Sequence, residues 1–248
     1  MLKQERHAFI LQQLNIHNRV MSNDLLHTLG VSEDTIRRDL QELAEEGQLV
    51  KVHGGALSKG FHFTLSTNDV YFAEGKKSIA CKAATLVDDG MLVLLSGGTT
   101  IRELVKALPA ELKATFVTPS LPIALELTNH PSSELIFVGN RINKSSQMAV
   151  GAEVMKQLGS FHADICFLGT NAIDEMAGIT ESTWEVLEVK KEMIRLSDKL
   201  VSMVISEKLN TKQPLKVCAA EEVHTLITEL NPHHPMLESY RSKGMQIL

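Results

Sequence analysis

From Met91 onward, short apolar runs alternate with stretches of helical periodicity, and this alternation constrains the fold more than any other feature. The runs are Met91–Leu95, Thr115–Thr118, Glu134–Val138, Asp164–Leu168, Leu200–Ile205 and Leu215–Val217, with a weaker one at Thr225–Thr228. Helical patterns lie near Thr100–Leu108, Leu121–Asn129, Gly151–Leu158 and Ser182–Ser197, and one more precedes the first strand at about Phe72–Val87. Strands that are apolar nearly throughout and separated by helices belong to a sheet covered on both faces. The expectation is an α/β domain with a largely parallel sheet, filling 72–248.

The first fifty-odd residues have a different texture. Ile10, Leu11 and Leu14 share a helical face with Phe9 nearby, and Leu25, Leu26 and Leu29 follow Ser22, which reads as an N-cap. Gly30 stops that second helix. Ser32 caps a third, in which Ile36, Leu40 and Leu43 repeat at helical spacing before Gly47. Three short helices, the last two joined by a tight glycine turn, make a helix-turn-helix. "QLVKVHGGAL" then reads as a strand, a Gly-Gly turn and an extended return, the size of a β-wing. The expected division is a winged helix-turn-helix at 1–57, a linker at 58–71 and the α/β domain beyond.

Composition narrows the class. With 44% apolar residues and a net charge of −5 over 248 residues, the chain is not disordered. No run reaches the ~18 apolar residues of a membrane span, and the N-terminus lacks the apolar core of a signal peptide. Cys81, Cys166 and Cys218 are odd in number and widely spaced, so they read as reduced thiols packed among apolar neighbours. A cytoplasmic protein is expected, with no cofactor and no metal. His233-His234 has no partner at ligand spacing, and Trp184 reads as a packing residue.

On the third helix Thr35, Arg37, Arg38 and Gln41 face outward. A helix entering the major groove needs such a short polar set near its N-terminus: Arg suits guanine edges or phosphates, and Gln suits adenine. Ser32 sits at the N-terminal end, which favours a phosphate, and Lys51 and His53 on the wing can reach the DNA backbone. An adjacent arginine pair is in most contexts only a solvated surface pair, and the position after a tight turn and before a wing reverses that reading. Residues 1–60 hold seven Lys/Arg and eight Asp/Glu, so the attraction has to be local, with Glu42, Glu45 and Glu46 at the far end of the helix.

"LVLLSGGTTIRELVKAL" (Leu92–Leu108) is a buried strand, a Ser96-Gly97-Gly98-Thr99-Thr100 turn and a helix. Glycines let the loop amides converge, and a helix N-terminus adds partial positive charge, which together make an anion cradle. No Gly-Lys-Ser/Thr follows, so this is not a Walker loop. Thr118 and Ser120 end the next strand, and Gly169, Thr180 and Glu181 follow a later one, giving three hydroxyl-bearing loops at one end of one sheet. Lys208 follows the strand "LVSMVIS" and can supply the cation a phosphate ester needs.

Thr35-Ile36-Arg37-Arg38-Asp39-Leu40 and His53-Gly54-Gly55-Ala56 resemble the N-terminal signature of the DeoR family of bacterial transcriptional regulators. In that family the wing usually carries Arg where this chain has Lys51. The resemblance continues over most of 72–230. It implies a sensor domain similar in fold to ribose-5-phosphate isomerase and responsive to phosphorylated sugars. The family's phosphate loop falls at Ser96–Thr100 and its T-N-S at Thr118-Pro119-Ser120. Its G-I-T with a following E-x-x-V-K-x-x-M helix falls at Gly178–Thr180 with Glu185 or Glu188, Lys190 or Lys191, and Met193, and its terminal D-x-S-K at Ile205–Lys208. Ser96 and Ile205 stand in place of two acids, Pro119 in place of an amide donor, and Glu207 in place of a hydroxyl.

The resulting expectation is a non-enzymatic regulator, a repressor of sugar-metabolism genes. As a homo-oligomer it would bind a palindromic operator in double-stranded DNA and be released by a phosphorylated sugar effector. The alternative is a sugar-phosphate isomerase-like enzyme with an appended helix-turn-helix, for which Asp174, Glu181 and Lys208 are the nominated acid–base groups.

Overall fold

The structure is a computed structural model that describes residues 1–17, 19–58 and 72–248. The chain divides between residues 71 and 72 into two compact units. The linker expected at 58–71 lies outside the described residues from 59 onward.

The first unit contains α1 (Lys3–His17), β1 (Arg19–Met21), α2 (Ser22–Leu29), α3 (Glu33–Glu45), β2 (Leu49–Val52) and β3 (Gly55–Ser58). Ile10, Leu14, Leu25, Ile36, Leu40 and Leu43 close into one core with Leu49 and Ala56, so each helix buries the stripe its spacing predicts. Gly30 has φ 62 and its amide donates to the Leu26 carbonyl at 3.0 Å, which ends α2 and makes the tight turn into α3. Ser22 is not the cap of α2. It is the first residue of that helix, and its amide donates to the Gly54 carbonyl at 2.8 Å.

The wing is the β2–β3 hairpin, extended by β1, which the sequence reading did not anticipate, in the order β1-β3-β2. The two wing glycines have separate jobs. Gly54 turns the chain with φ 76. A Cβ on Gly55 would lie 2.0 Å from the Val20 carbonyl oxygen, so only glycine lets β3 lie against β1.

In the second unit, among the described residues, seven strands form one sheet in the order β15-β14-β12-β9-β4-β5-β6. They are β4 (Leu92–Leu95), β5 (Thr115–Thr118), β6 (Glu134–Phe137), β9 (Ala163–Gly169), β12 (Ser197–Met203), β14 (Thr225–Ile227) and β15 (Gln246–Ile247). Every neighbouring pair is parallel. Val93, Leu94, Leu95, Phe116, Val117, Phe167 and Leu168 are fully buried, as continuous apolar strands require. Around the sheet lie α4 (Ala73–Ala84), α5 (Thr99–Ala107), α6 (Leu121–Leu127), α7 (Ala152–Leu158), α8 (Trp184–Arg195) and the short α9 (Glu238–Ser242).

Several expectations are corrected. Leu215–Val217 belongs to β13 (Leu215–Cys218), which lies outside the parallel sheet and pairs antiparallel with β11 (Gly178–Glu181), itself paired with β10 (Ala172–Asp174). Thr180 and Glu181 are therefore strand residues, not loop residues. A β7–β8 hairpin (Arg141–Asn143, Met148–Val150) was also not expected. Cys166 and Cys218 are buried, but Cys81 is exposed. Trp184 is 63% exposed, so it is no packing residue. Among the described residues no helix is long and apolar enough to cross a membrane.

The sheet has a direction change. After β4 the chain moves outward through β5 and β6, whereas β9 returns to the other side of β4 and leads away through β12. β4 and β9 therefore flank a topological switch point, where the loops at the strand ends part and leave room for a ligand.

Candidate functional site

On α3, Ser32 accepts a hydrogen bond from the Thr35 amide at 3.3 Å, and the two hydroxyls lie 2.9 Å apart. Both side chains thus fix the start of the helix. Arg37 and Arg38 are exposed. An Arg37 Nη2 lies 3.2 Å from Asp34 Oδ1, whereas Arg38 has no polar partner among the described residues. The Gln41 Oε1 accepts from Lys51 Nζ at 2.9 Å and its Nε2 donates to Glu45 at 2.7 Å, so the wing lysine and the recognition helix meet at Gln41. His53 is exposed on the hairpin turn beside Gly54. The expectation of a phosphate at the α3 N-terminus is weakened by Glu33 and Asp34, two exposed acids in that first turn.

The sequence reading missed what holds α3 in place. Asp39 is 2% exposed and accepts from Arg6 through both oxygens, at 2.7 and 3.0 Å, with His7 at 3.2 Å. Burial alone would raise its carboxyl, and the paired Arg6 and His7 hold it below the usual carboxylate range. The signal was available: Asp39 sits at i+3 from Ile36, on the stripe that should be apolar. Although His7, Asp39 and Glu42 bring ligand-type atoms within 4.8 Å of one another, Arg6 and Lys3 already neutralise the two acids. Replacing Asp39 by Ala should cost the first unit on the order of 2 kcal/mol, the value of a hydrogen bond to a charged group. Chemical denaturation of the full chain measures it, and an unchanged transition would remove this role.

At the switch point, Gly98 adopts φ 118 as the N-cap of α5, a conformation reserved for glycine, and opens the first-turn amides of Thr99 and Thr100. The loop is braced from β9. The Ser96 hydroxyl is buried and accepts from the Gly169 amide at 2.8 Å. A Cβ on Gly169 would lie 2.4 Å from the Gly97 carbonyl oxygen. Gly169 is thus a close-approach residue that sets the loop. Gly169→Ala should cost about 1–3 kcal/mol by forcing backbone apart, and should weaken anion binding with it. Denaturant melts together with sulfate titration test this, and a variant as stable as the parent would contradict it.

The hydroxyls expected to face a ligand are largely spent on backbone. Thr118 Oγ1 donates to the Leu95 carbonyl at 2.7 Å and accepts from the Ser120 amide at 3.1 Å. Thr180 Oγ1 accepts from the Gln213 amide at 2.8 Å. Ser120 is buried beside Gly97: a Cβ on that glycine would lie 3.3 Å from its Oγ. Glu181 is no open ligand group either. It is buried and paired at 2.7 Å with Lys190 Nζ, which also donates to the Gly169 carbonyl at 3.2 Å. Burial pushes the Glu181 carboxyl up, and Lys190, the Ser182 amide and Asn171 outweigh that push and leave it low.

Lys208 closes a three-residue helical turn, Ser206–Lys208, after β12. Burial pushes its amine down to about 7, and the nearby charges of Lys76 and Lys190 add to this against Glu181 and Glu207. Lys190 thus reaches the Gly169 carbonyl beside the Ser96–Gly97 loop, and Lys208 lies within charge range of Lys190. Lys190 was visible in the sequence only as part of a resemblance, and Lys76 not at all.

A winged helix-turn-helix on the same chain as an α/β unit with a glycine loop and a helix N-terminus at its topological switch point defines a DNA-binding transcriptional regulator with a sensor domain. The chain belongs to the DeoR family. The family model described as DeoR-like helix-turn-helix domain matches residues 6–60, and the one described as DeoR C terminal sensor domain matches residues 72–230. The HTH-type transcriptional repressor GlcR of Bacillus subtilis (strain 168) is 29% identical, covering 100% of this chain and 96% of that protein. From the same organism, the uncharacterized HTH-type transcriptional regulator YulB is 31% identical, again over 100% and 96%. A solved ribose 5 phosphate isomerase A from Neisseria gonorrhoeae is 15% identical with a TM-score of 0.41, over 54% of this chain and 52% of that one. That likeness is too distant to bear on what this chain binds or turns over.

Proposed function

We propose that the protein is a repressor of sugar-metabolism genes whose operator affinity falls when a phosphorylated sugar fills the crevice between the ends of β4 and β9. What supports this reading is the glycine loop at the topological switch point, braced by the Gly169 amide on Ser96, with the Lys190 amine on the Gly169 carbonyl. In this assignment 1–57 reads DNA, 58–71 links and 72–248 senses. Arg37, Arg38, Gln41, Lys51 and His53 meet the duplex, with Ser32 and Thr35 setting the helix that carries them. Gly97, Gly98, Thr99, Thr100 and Lys208 meet the effector, with Ser96, Gly169, Thr118 and Ser120 shaping the loop, and Thr180 and Glu181 holding the neighbouring strand.

A near-neutral reader gains little from general attraction to DNA. Two copies in a homo-oligomer, placed about one helical turn apart on a palindromic operator, supply what a single copy lacks. The cytoplasmic location rests on this DNA target. A thermal-shift screen against phosphorylated and unphosphorylated sugars tests the effector half: a phosphorylated sugar raises the melting point and its unphosphorylated parent does not. Equal shifts from both would remove phosphate recognition.

One point favours the enzyme reading: burial pushes the Lys208 amine down to about 7, a range suited to proton transfer. Asp174 counts against it, because its carboxylate accepts from the Met176 and Ala177 amides and stays low. Turnover of any sugar phosphate by the purified chain, lost in Lys208→Met, would favour that reading.

A further inference from the structure

We propose that Glu45, the last residue of α3, is a specificity-determining residue of the DNA reader: with Lys51 it fixes the Gln41 amide in the orientation that pairs with adenine in the major groove. This rests on the reading of α3 as the recognition helix. At about 100° per residue, Arg37, Arg38, Gln41 and Glu45 fall within an arc of about 100° around α3. All four are exposed, so Glu45 stands on the face that would meet the duplex.

An acid at that place needs a reason. The phosphate backbone repels it, and the C-terminal end of a helix favours a cation. Of the other two acids at that end, Glu42 is paired with Lys3, and Glu46 accepts from Gln48 Nε2 at 2.8 Å. Glu45 instead accepts from Gln41 Nε2 at 2.7 Å, one helical turn back. On the other side of the same amide, Lys51 Nζ donates to Gln41 Oε1 at 2.9 Å and reaches the Arg37 carbonyl at 3.4 Å.

The chemistry of the two partners allows one orientation. A carboxylate only accepts and an ammonium only donates, so the Gln41 nitrogen must face Glu45 and its oxygen must face Lys51. Turned over, the amide would set nitrogen against ammonium and oxygen against carboxylate. Each partner takes one hydrogen or one lone pair and leaves another. What remains is one N–H and one oxygen lone pair, the set that matches N7 and the N6 amino group of adenine. Guanine presents two acceptors along that edge, and the fixed amide has one donor left to offer. A glutamine held in this way gives up little further rotamer freedom when it meets the base. Lysine has three donors, so Lys51 keeps one for the DNA backbone.

The test starts from a randomised duplex library selected with the full chain, which gives a preferred duplex and the base preference at each position. The parent should prefer adenine at one position by about 5- to 150-fold, the worth of one bidentate pair. Gln41→Ala should lose that preference. Replacing the adenine by 7-deazaadenine, which lacks the N7 acceptor, should weaken the parent and leave Gln41→Ala unmoved. Glu45→Ala should cut the preference at least about threefold while binding random duplex more tightly than the parent, because a charge that repels phosphate is gone. Glu45→Gln keeps an acceptor for Gln41 without the charge, so it should retain the preference and share the gain on random duplex. Glu46→Ala should show that gain with the parent's preference.

An adenine preference in Glu45→Ala equal to the parent's would make Glu45 a surface acid only, and the proposal falls while Gln41 stands as a reader. The parent's preference at every position in Gln41→Ala would take Gln41 itself out of base reading, and this proposal with it.

Discussion

Lys190→Met should destabilise the sensor unit by about 3–5 kcal/mol, because it leaves Glu181 charged, buried and without its partner. The pair is 2.7 Å apart and both side chains are almost wholly out of water, at 5% and 7% exposure. Lys190 also holds the Gly169 carbonyl, so the change loosens the end of β9 against which the Ser96–Gly97 loop is braced. The double change Glu181→Gln with Lys190→Met should recover much of the loss, since no buried charge then remains. Denaturant unfolding of the single and double variants gives the coupling. A single-variant loss below about 1 kcal/mol would mean that water reaches the pair.

The second large effect concerns DNA. Arg38→Ala should weaken operator binding by about 1–3 kcal/mol, roughly 5- to 150-fold, if the side chain reads a base. Arg38 is the clearer test of the two, because Arg37 leans on Asp34 while Arg38 is exposed with no polar partner among the described residues. Operator and random duplexes must be titrated side by side. A loss confined to the operator assigns base reading, whereas an equal loss on both, with a salt slope reduced by about one, assigns a phosphate contact. No loss on either would take Arg38 out of the interface.

Much of the fold was legible because its causes are local. The stripe Ile36, Leu40 and Leu43 fixes which face of α3 is free, and a caps-and-glycine grammar bounds α2 and α3 to within a residue or so. The central strands could be read because burial on both faces leaves unbroken apolar runs. What escaped was set by distant partners. β11 reads as a hydroxyl-rich loop, since Thr180 and Glu181 interrupt its apolar run, and only pairing with β10 and β13 and burial against Lys190 make it a strand. β1 and β15 are two or three residues long and carry too little pattern to register.

The site followed the same division. The glycine loop declares itself in sequence, because φ and close approach demand glycine. The hydroxyls do not, because a threonine that donates to a ligand and one that donates to Leu95 look alike until the fold is known. A more useful signal was passed over. Asp39, Lys76 and Lys190 each occupy a position on the apolar stripe of its helix, and each is buried. Burying a charge is too costly to occur without a partner or a function, so such positions mark where a chain is held together or where it binds.

One titration tests the effector response most directly: a labelled operator fragment bound by the full chain, to which sugar phosphates are added, with anisotropy as the readout. The predicted result is release of the DNA by a phosphorylated sugar, not by its unphosphorylated parent, and loss of that release in Lys208→Met while operator affinity without the sugar is retained. Operator affinity unmoved by any sugar phosphate that the chain demonstrably binds would contradict it.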